Sequence, residues 1–205
     1  MVFVPSERAR APLALKIVVA GGFGVGKTTT VGAISEIEPL STEAAMTDLA
    51  LEIDRSELTP NKIETTAALD FGRITFADDL VLYLFGTPGQ QRFAFMWDEL
   101  ARGAVGAIVI TDTRRLAESF PAIGYFERRK LPFVIGINCF DRIRAHTAAQ
   151  VREAVAVGDD VPVELFDARE RSSVKEILAV LVQSSLVRAR AEISAAAAPP
   201  SSSAT

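Results

Sequence analysis

Apolar positions in this chain fall in short runs, and the runs alternate with stretches that repeat every three to four residues. Leu13 to Ala20 is continuously apolar apart from Lys16 and ends at glycines, which predicts a buried strand. Lys27 to Ile37 then reads as a helix. Ala68 to Phe76 and Leu80 to Phe85 flank Ala77-Asp78-Asp79, and so short a polar gap predicts an antiparallel hairpin. Val105 to Thr111, Pro132 to Asn138 and Val161 to Phe166 are further strand runs. Leu116 to Arg129, Thr147 to Val157 and Ser172 to Ala189 carry helical patterns between or after them. The alternation predicts an α/β fold: an open, six-stranded, mostly parallel sheet with helices on both faces. Ligands of such sheets bind beyond the carboxyl ends of the strands.

The ends of the chain lack this pattern. Residues 1–12 have no period and are broken by Pro5 and Pro12, which predicts a flexible arm. Residues 190–205 turn alanine-rich and then run Pro199-Pro200-Ser201-Ser202-Ser203, which predicts a disordered tail. Residues 13–189 are left as one domain, with no repeat and no internal linker.

Composition narrows the chemistry. With 205 residues, 49% of them hydrophobic, the chain can bury a core without staples. A formal net charge of -4 argues against a broad nucleic-acid footprint. One cysteine, Cys139, excludes an internal disulfide and a cysteine zinc cage, and one histidine, His146, argues against a Ser-His-Asp triad. No apolar run approaches the ~20 residues of a membrane span, and no signal pattern opens the chain, so a cytoplasmic location is expected.

The first strand ends in Gly21-Gly22-Phe23-Gly24-Val25-Gly26-Lys27-Thr28, which fits G-x-x-x-x-G-K-[ST] throughout. Its glycines let the backbone aim N–H groups at phosphate oxygens, and the helix that follows adds its positive end. Gly22, Phe23, Gly24, Val25, Gly26, Lys27, Thr28 and Thr29 are therefore the expected phosphate-binding residues. Lys27 offers a charge to the terminal phosphates and Thr28 a hydroxyl to Mg²⁺.

Four later segments follow in order. They are Thr65-Thr66-Ala67-Ala68-Leu69-Asp70-Phe71, Gly86-Thr87-Pro88-Gly89-Gln90, Asn138-Cys139-Phe140-Asp141 and Asp167-Ala168-Arg169. With the phosphate loop they make the chain, over roughly Leu13 to Leu186, resemble a Ras-like small GTPase of the P-loop NTPase fold. Within that superfamily it is most similar to the bacterial group of MglA-type polarity switches and actinobacterial conservon GTPases. The resemblance implies a GTP/GDP switch with Mg²⁺ as cofactor and slow, partner-stimulated hydrolysis. It implies Thr66, with Thr65 as the adjacent alternative, as the switch I ligand of Mg²⁺. Gly89 would meet the γ-phosphate and Gln90 would orient the attacking water, so Gln90, Lys27 and Thr66 are the expected catalytic set. Asn138 would brace the loops, Asp141 would read the guanine edge, and Ala168 with Arg169 would line the base. A partner of the Roadblock/LC7 type and an effector at switch I and switch II are implied.

The chain also departs from that pattern. Gly86 stands where the family has an aspartate that steadies the metal's water shell, which implies weaker Mg²⁺ binding. Cys139 replaces a lysine whose stem packs over the base. Phe23 either crowds Gln90 or packs on switch II. These departures keep open a non-hydrolysing nucleotide-binding adaptor. A small-molecule phosphotransferase is a third class, with Arg114-Arg115 or Arg128-Arg129-Lys130 as lid candidates. The cluster Phe93, Phe95, Met96 and Trp97 after Gln90 reads as core or as a switch II partner patch.

Overall fold

The computed structural model describes residues 12–38, 40–45, 66–89 and 95–197. The expected arm before Pro12 lies outside these residues, as do Thr65, Gln90, Phe93 and the end of the expected tail.

Strand β1 (Leu13–Gly21) leads through the phosphate loop into helix α1 (Lys27–Ile34). Strand β2 (Leu40–Ala45) is followed by the hairpin β3 (Thr66–Ala77) and β4 (Leu80–Gly86), turned at Asp78 and Asp79. Then come α2 (Trp97–Ala101), β5 (Ala104–Thr111), a 3₁₀ turn at Thr113–Ser119 and α3 (Phe120–Arg129). The chain closes with β6 (Phe133–Asn138), α4 (Ala148–Val155), β7 (Val163–Phe166) and α5 (Arg171–Ala197).

All strands join one sheet in the order β2-β3-β4-β1-β5-β6-β7. The pairs β1–β4, β1–β5, β5–β6 and β6–β7 are parallel, while β3 runs antiparallel to both its neighbours. Every strand read from the sequence is present, in the mostly parallel α/β arrangement expected. The sheet gains a seventh strand, β2, at its edge. Its Leu-Ser-Thr-Glu-Ala-Ala sequence has little alternation, so pairing with β3 rather than pattern makes it a strand.

The central strands bury both faces over most of their length, which explains their largely apolar runs. Ile17 and Val19 of β1 face α1 and α5, where Val31, Ile34, Ile177 and Leu181 are fully buried or nearly so. Val18 and Ala20 face the other way, toward Trp97, Ile123, Phe126 and Val151 of α2, α3 and α4. Two cores therefore fix β1 from both sides, and the loop after it inherits that rigidity.

Element ends differ in small, explicable ways. α1 stops at Ser35, which turns extended and accepts from the Arg73 amide on β3. α3 begins only at Phe120, because Arg115 breaks the helical path inside the preceding 3₁₀ turn and Pro121 suits a helix start. α5 continues past Arg190, where the sequence reading ended the domain, to Ala197, since its last turns are rich in alanine, the best helix former. Among the described residues no helix is long and apolar enough to cross a membrane.

Candidate functional site

The carboxyl ends of β1, β4, β5, β6 and β7 converge on the loop between β1 and α1. Gly26, the residue before α1, has φ 108°, a conformation that favours glycine. A Cβ there would also lie 2.7 Å from Asn138 Nδ2 and 3.3 Å from the Ala168 Cβ, so only glycine lets the three loops close together.

Asn138, at the end of β6, is the brace. Its Nδ2 donates to the Val25 carbonyl at 2.9 Å, and its Oδ1 accepts from the Ala168 amide at 3.2 Å. One buried amide thus ties the phosphate loop to the loop after β7. Asp141 follows in a left-handed conformation, φ 55°, and so does Arg142, φ 62°. Asp tolerates that region better than most residues, and two such residues in a row hold a specific turn. The Asp141 carboxylate is 80% exposed and pairs with Arg169 Nη1 at 3.3 Å. Arg169 also forks onto Asp167, whose carboxyl it holds below the usual range. Cys139 is buried, which pushes its thiol pKa up and disfavours a reactive thiolate.

Lys27 is buried, only 8% exposed. Its Nζ donates to the carbonyls of Gly21 at 3.1 Å and Gly22 at 2.6 Å. Desolvation lowers its pKa to about 8, against the pull of Asp70 and Glu118. Gly89 packs over this point: a Cβ on it would lie 2.8 Å from Lys27 Nζ. Thr28 and Thr29 are exposed at the start of α1, and so is Phe23 at the loop's tip, 67% exposed.

Asp70, to which the sequence assigns no role, stands at the centre of the other side. It is buried on β3 and opposes Gly86 of β4. Its Oδ2 accepts from the Thr28 hydroxyl at 2.7 Å. A Cβ on Gly86 would be 3.0 Å from that same oxygen. Asp70 thus places a carboxylate beside Thr28 from β3, in the room that Gly86 leaves on β4. The signal was present: aspartate is depleted in strands, and a buried one needs a partner. Thr66 is not brought to this point. It begins β3 opposite Ala45, four residues before Asp70, about 13 Å along a strand.

Other candidates resolve without ligands. Phe95 is exposed and Trp97 is buried in the core, 50% and 7% exposed, so the aromatic cluster divides between surface and interior. Trp97 meets Tyr125 edge-on, and Tyr125 donates to Asp98, which also pairs with Arg129. The Arg128-Arg129-Lys130 segment ends α3 and is no lid.

Comparison with known proteins agrees with this geometry. A family model described as conserved hypothetical ATP-binding protein matches residues 19–189. The uncharacterised protein MJ1339 of Methanocaldococcus jannaschii is 33% identical over 129 residues, covering 62% of this chain and 71% of that protein. In fold the chain is similar to the G domain of the FeoB iron transporter of T. maritima, with TM-score 0.58, 16% identity, and coverage of 84% of this chain and 99% of that one. It is also similar to the cytosolic domain of FeoB in a GDP form, with TM-score 0.60 and 14% identity, over 85% of this chain. The match spans only 64% of that cytosolic domain's length. The fold is thus that of P-loop GTPase domains. The family model covers β1 from Val19, the phosphate loop and every later element as far as Ala189, and the chain belongs to the family of conserved hypothetical ATP-binding proteins.

Proposed function

We propose that this chain is a GTP/GDP-binding molecular switch, of the MglA-type and conservon kind, whose slow GTP hydrolysis a partner accelerates. The observation that carries the reading is the Asn138 brace, three residues before the Asp141 turn, which ties the phosphate loop to Ala168. A carboxylate at Asp141 accepts from both N1–H and the 2-amino group of guanine. Adenine has no such pair of donors, so the unmatched carboxylate would select against it.

Mg²⁺ fits the groups present. Thr28 and Asp70 offer a hydroxyl and a carboxylate oxygen side by side, hard ligands for a hard ion. Among the described residues no group of three or more His, Cys, Asp or Glu forms a metal cage. Mg²⁺ needs none, because it takes one or two carboxylates and completes its shell with phosphate and water. When bound it would neutralise charge on the β- and γ-phosphates. Lys27 would leave the Gly21 and Gly22 carbonyls for the phosphates. Thr66 would join Thr28 and Asp70 only once the start of β3 leaves the ladder, which couples switch I to the γ-phosphate. Gln90 as the water-orienting residue, a Roadblock/LC7-type partner and a cytoplasmic setting complete the proposal and rest on the sequence resemblance.

Calorimetric titration with GTP, GDP and ATP, with and without Mg²⁺, tests it. Preference for guanine nucleotides that Asp141→Asn abolishes is expected. Equal uptake of ATP and GTP would overturn the guanine reading. Tight GTP binding with no phosphate release, even with partner present, would favour the adaptor. If Gln90→Leu hydrolyses GTP like the wild type, Gln90 has no catalytic role.

A further inference from the structure

Cys139, in the loop after β6, is a buried thiol and brings no positive charge. The loop after β5 brings two arginines instead. Asp112, 2% exposed at the end of β5, anchors them. Arg114 grips it through Nε at 2.9 Å and Nη2 at 2.8 Å, and its hydrogen bond is the main reason the Asp112 carboxyl stays below the usual range. Arg115 Nη2 lies 3.6 Å from the same carboxylate. Arg115 breaks the helical path of the 3₁₀ turn, with φ -141° and ψ 45°, and its side chain crosses to the phosphate loop.

There Nη2 donates to the Phe23 carbonyl at 3.1 Å, and Nη1 meets Glu118 Oε1 at 3.3 Å. It also lies 3.7 Å from where a Cβ on Gly24 would stand. Glu118 in turn lies against the loop: a Cβ on Gly22 would be 2.5 Å from its Oε2. Its charge is felt at Lys27.

These contacts have a direction. A phosphate loop turns its N–H groups toward the ligand, so its carbonyls face outward and need partners. Phe23 is at the exposed tip, and its carbonyl finds one in a guanidinium from an element 92 residues away. A carboxylate as close to the loop as Glu118 repels a bound diphosphate unless a cation neutralises it. Arg115 does both, and its planar fork carries donors beyond those two contacts.

We propose that Arg115 is a positioning residue for nucleotide retention: it clamps the phosphate loop at Phe23 and neutralises Glu118 beside the diphosphate. This deepens the nucleotide-binding reading and rests on it. Release of a fluorescent N-methylanthraniloyl GDP, and of the matching ADP, is to be timed by stopped flow from the wild type, R115A, R115K, E118Q and R115A/E118Q. R115A is expected to release about tenfold faster and R115K to recover part of the loss, since an ammonium replaces one contact but not the fork. E118Q in the R115A background is expected to slow release severalfold, because it removes the exposed repulsion; a merely structural arginine would not be rescued by losing its partner's charge. Hydrogen exchange of the amides at 22–26 without nucleotide is the second arm, and R115A should speed it at least threefold. R115A release within twofold of the wild type, or no rescue by E118Q, overturns the proposal. If the wild type takes up neither probe, the reading of the site fails by itself; the exchange arm then judges the clamp, and unchanged exchange in R115A overturns it too.

Discussion

The phosphate loop is flanked by two sides that were built by different rules. Toward β6 and β7, Asn138 and Ala168 stand where the motif along each strand places them, and they make the contacts that tie the loop down. Toward β3 and β4, the motif position on β4 is Gly86, and the carboxylate arrives from Asp70 on the adjacent strand. The difference is physical. A brace that bonds two backbone groups must sit at one place with one shape. A carboxylate that serves a threonine hydroxyl or a hard cation needs only an oxygen at a point in space, and either member of a paired register can deliver it.

The largest expected effect tests that exchange. Asp70→Ala should weaken Mg²⁺-dependent nucleotide affinity by about 10- to 100-fold, the usual cost of removing a group that orients or holds a metal. Gly86→Asp alone should not improve on the wild type, because its Cβ would lie 3.0 Å from the Asp70 carboxylate and crowd two like charges. The double variant Asp70→Gly/Gly86→Asp should recover most of the affinity. Calorimetry with and without Mg²⁺ reads all three, and an Asp70→Ala protein that keeps the wild-type Mg²⁺ dependence would break the comparison.

The second test falls on the other side. Asn138→Ala leaves the Ala168 amide and the Val25 carbonyl without their partner in a buried place, a loss of about 1–3 kcal/mol. Thermal unfolding should shift down accordingly. Nucleotide affinity should fall about tenfold, equally with and without Mg²⁺, since the brace serves the loop rather than the ion. A Mg²⁺-dependent loss in Asn138→Ala would erase the distinction between the two sides.

These two sides also show what the sequence could disclose. The six expected strands were legible because each is a short, mostly apolar run bounded by polar residues or glycine. The phosphate loop and Asn138 were legible because their work is done within a few residues of one strand end. Asp70 was visible only as a misfit, a charged residue in a strand, because its partner Thr28 is 42 positions away. Nothing in the sequence around Arg115 points to Phe23, 92 positions away, and only the fold brings the two together. β2 was missed because an edge strand with weak alternation owes its form to its neighbour. α5 runs past Arg190 to Ala197, because a run of alanines favours helix where composition alone suggests a loose tail.

The smallest expected effect concerns Lys27, which lies between the two sides. Burial lowers its pKa to about 8 in the free protein, while the charge of Asp70 pulls the other way. A bound anion favours the charged amine and raises the pKa, so above pH 8 binding must take up a proton. Affinity therefore falls as pH rises, by about fivefold between pH 8 and 9 for a single group titrating near 8. Below pH 7 the amine is charged in both states and this dependence vanishes. Asp70→Asn should move the onset to lower pH, because it removes a charge that supports the ammonium, while Asn138→Ala should leave the onset where it is. Titrations in two buffers of different ionisation enthalpy measure the proton uptake directly. A shared shift in both variants would mean that Lys27 responds to the loop as a whole and not to the carboxylate on β3.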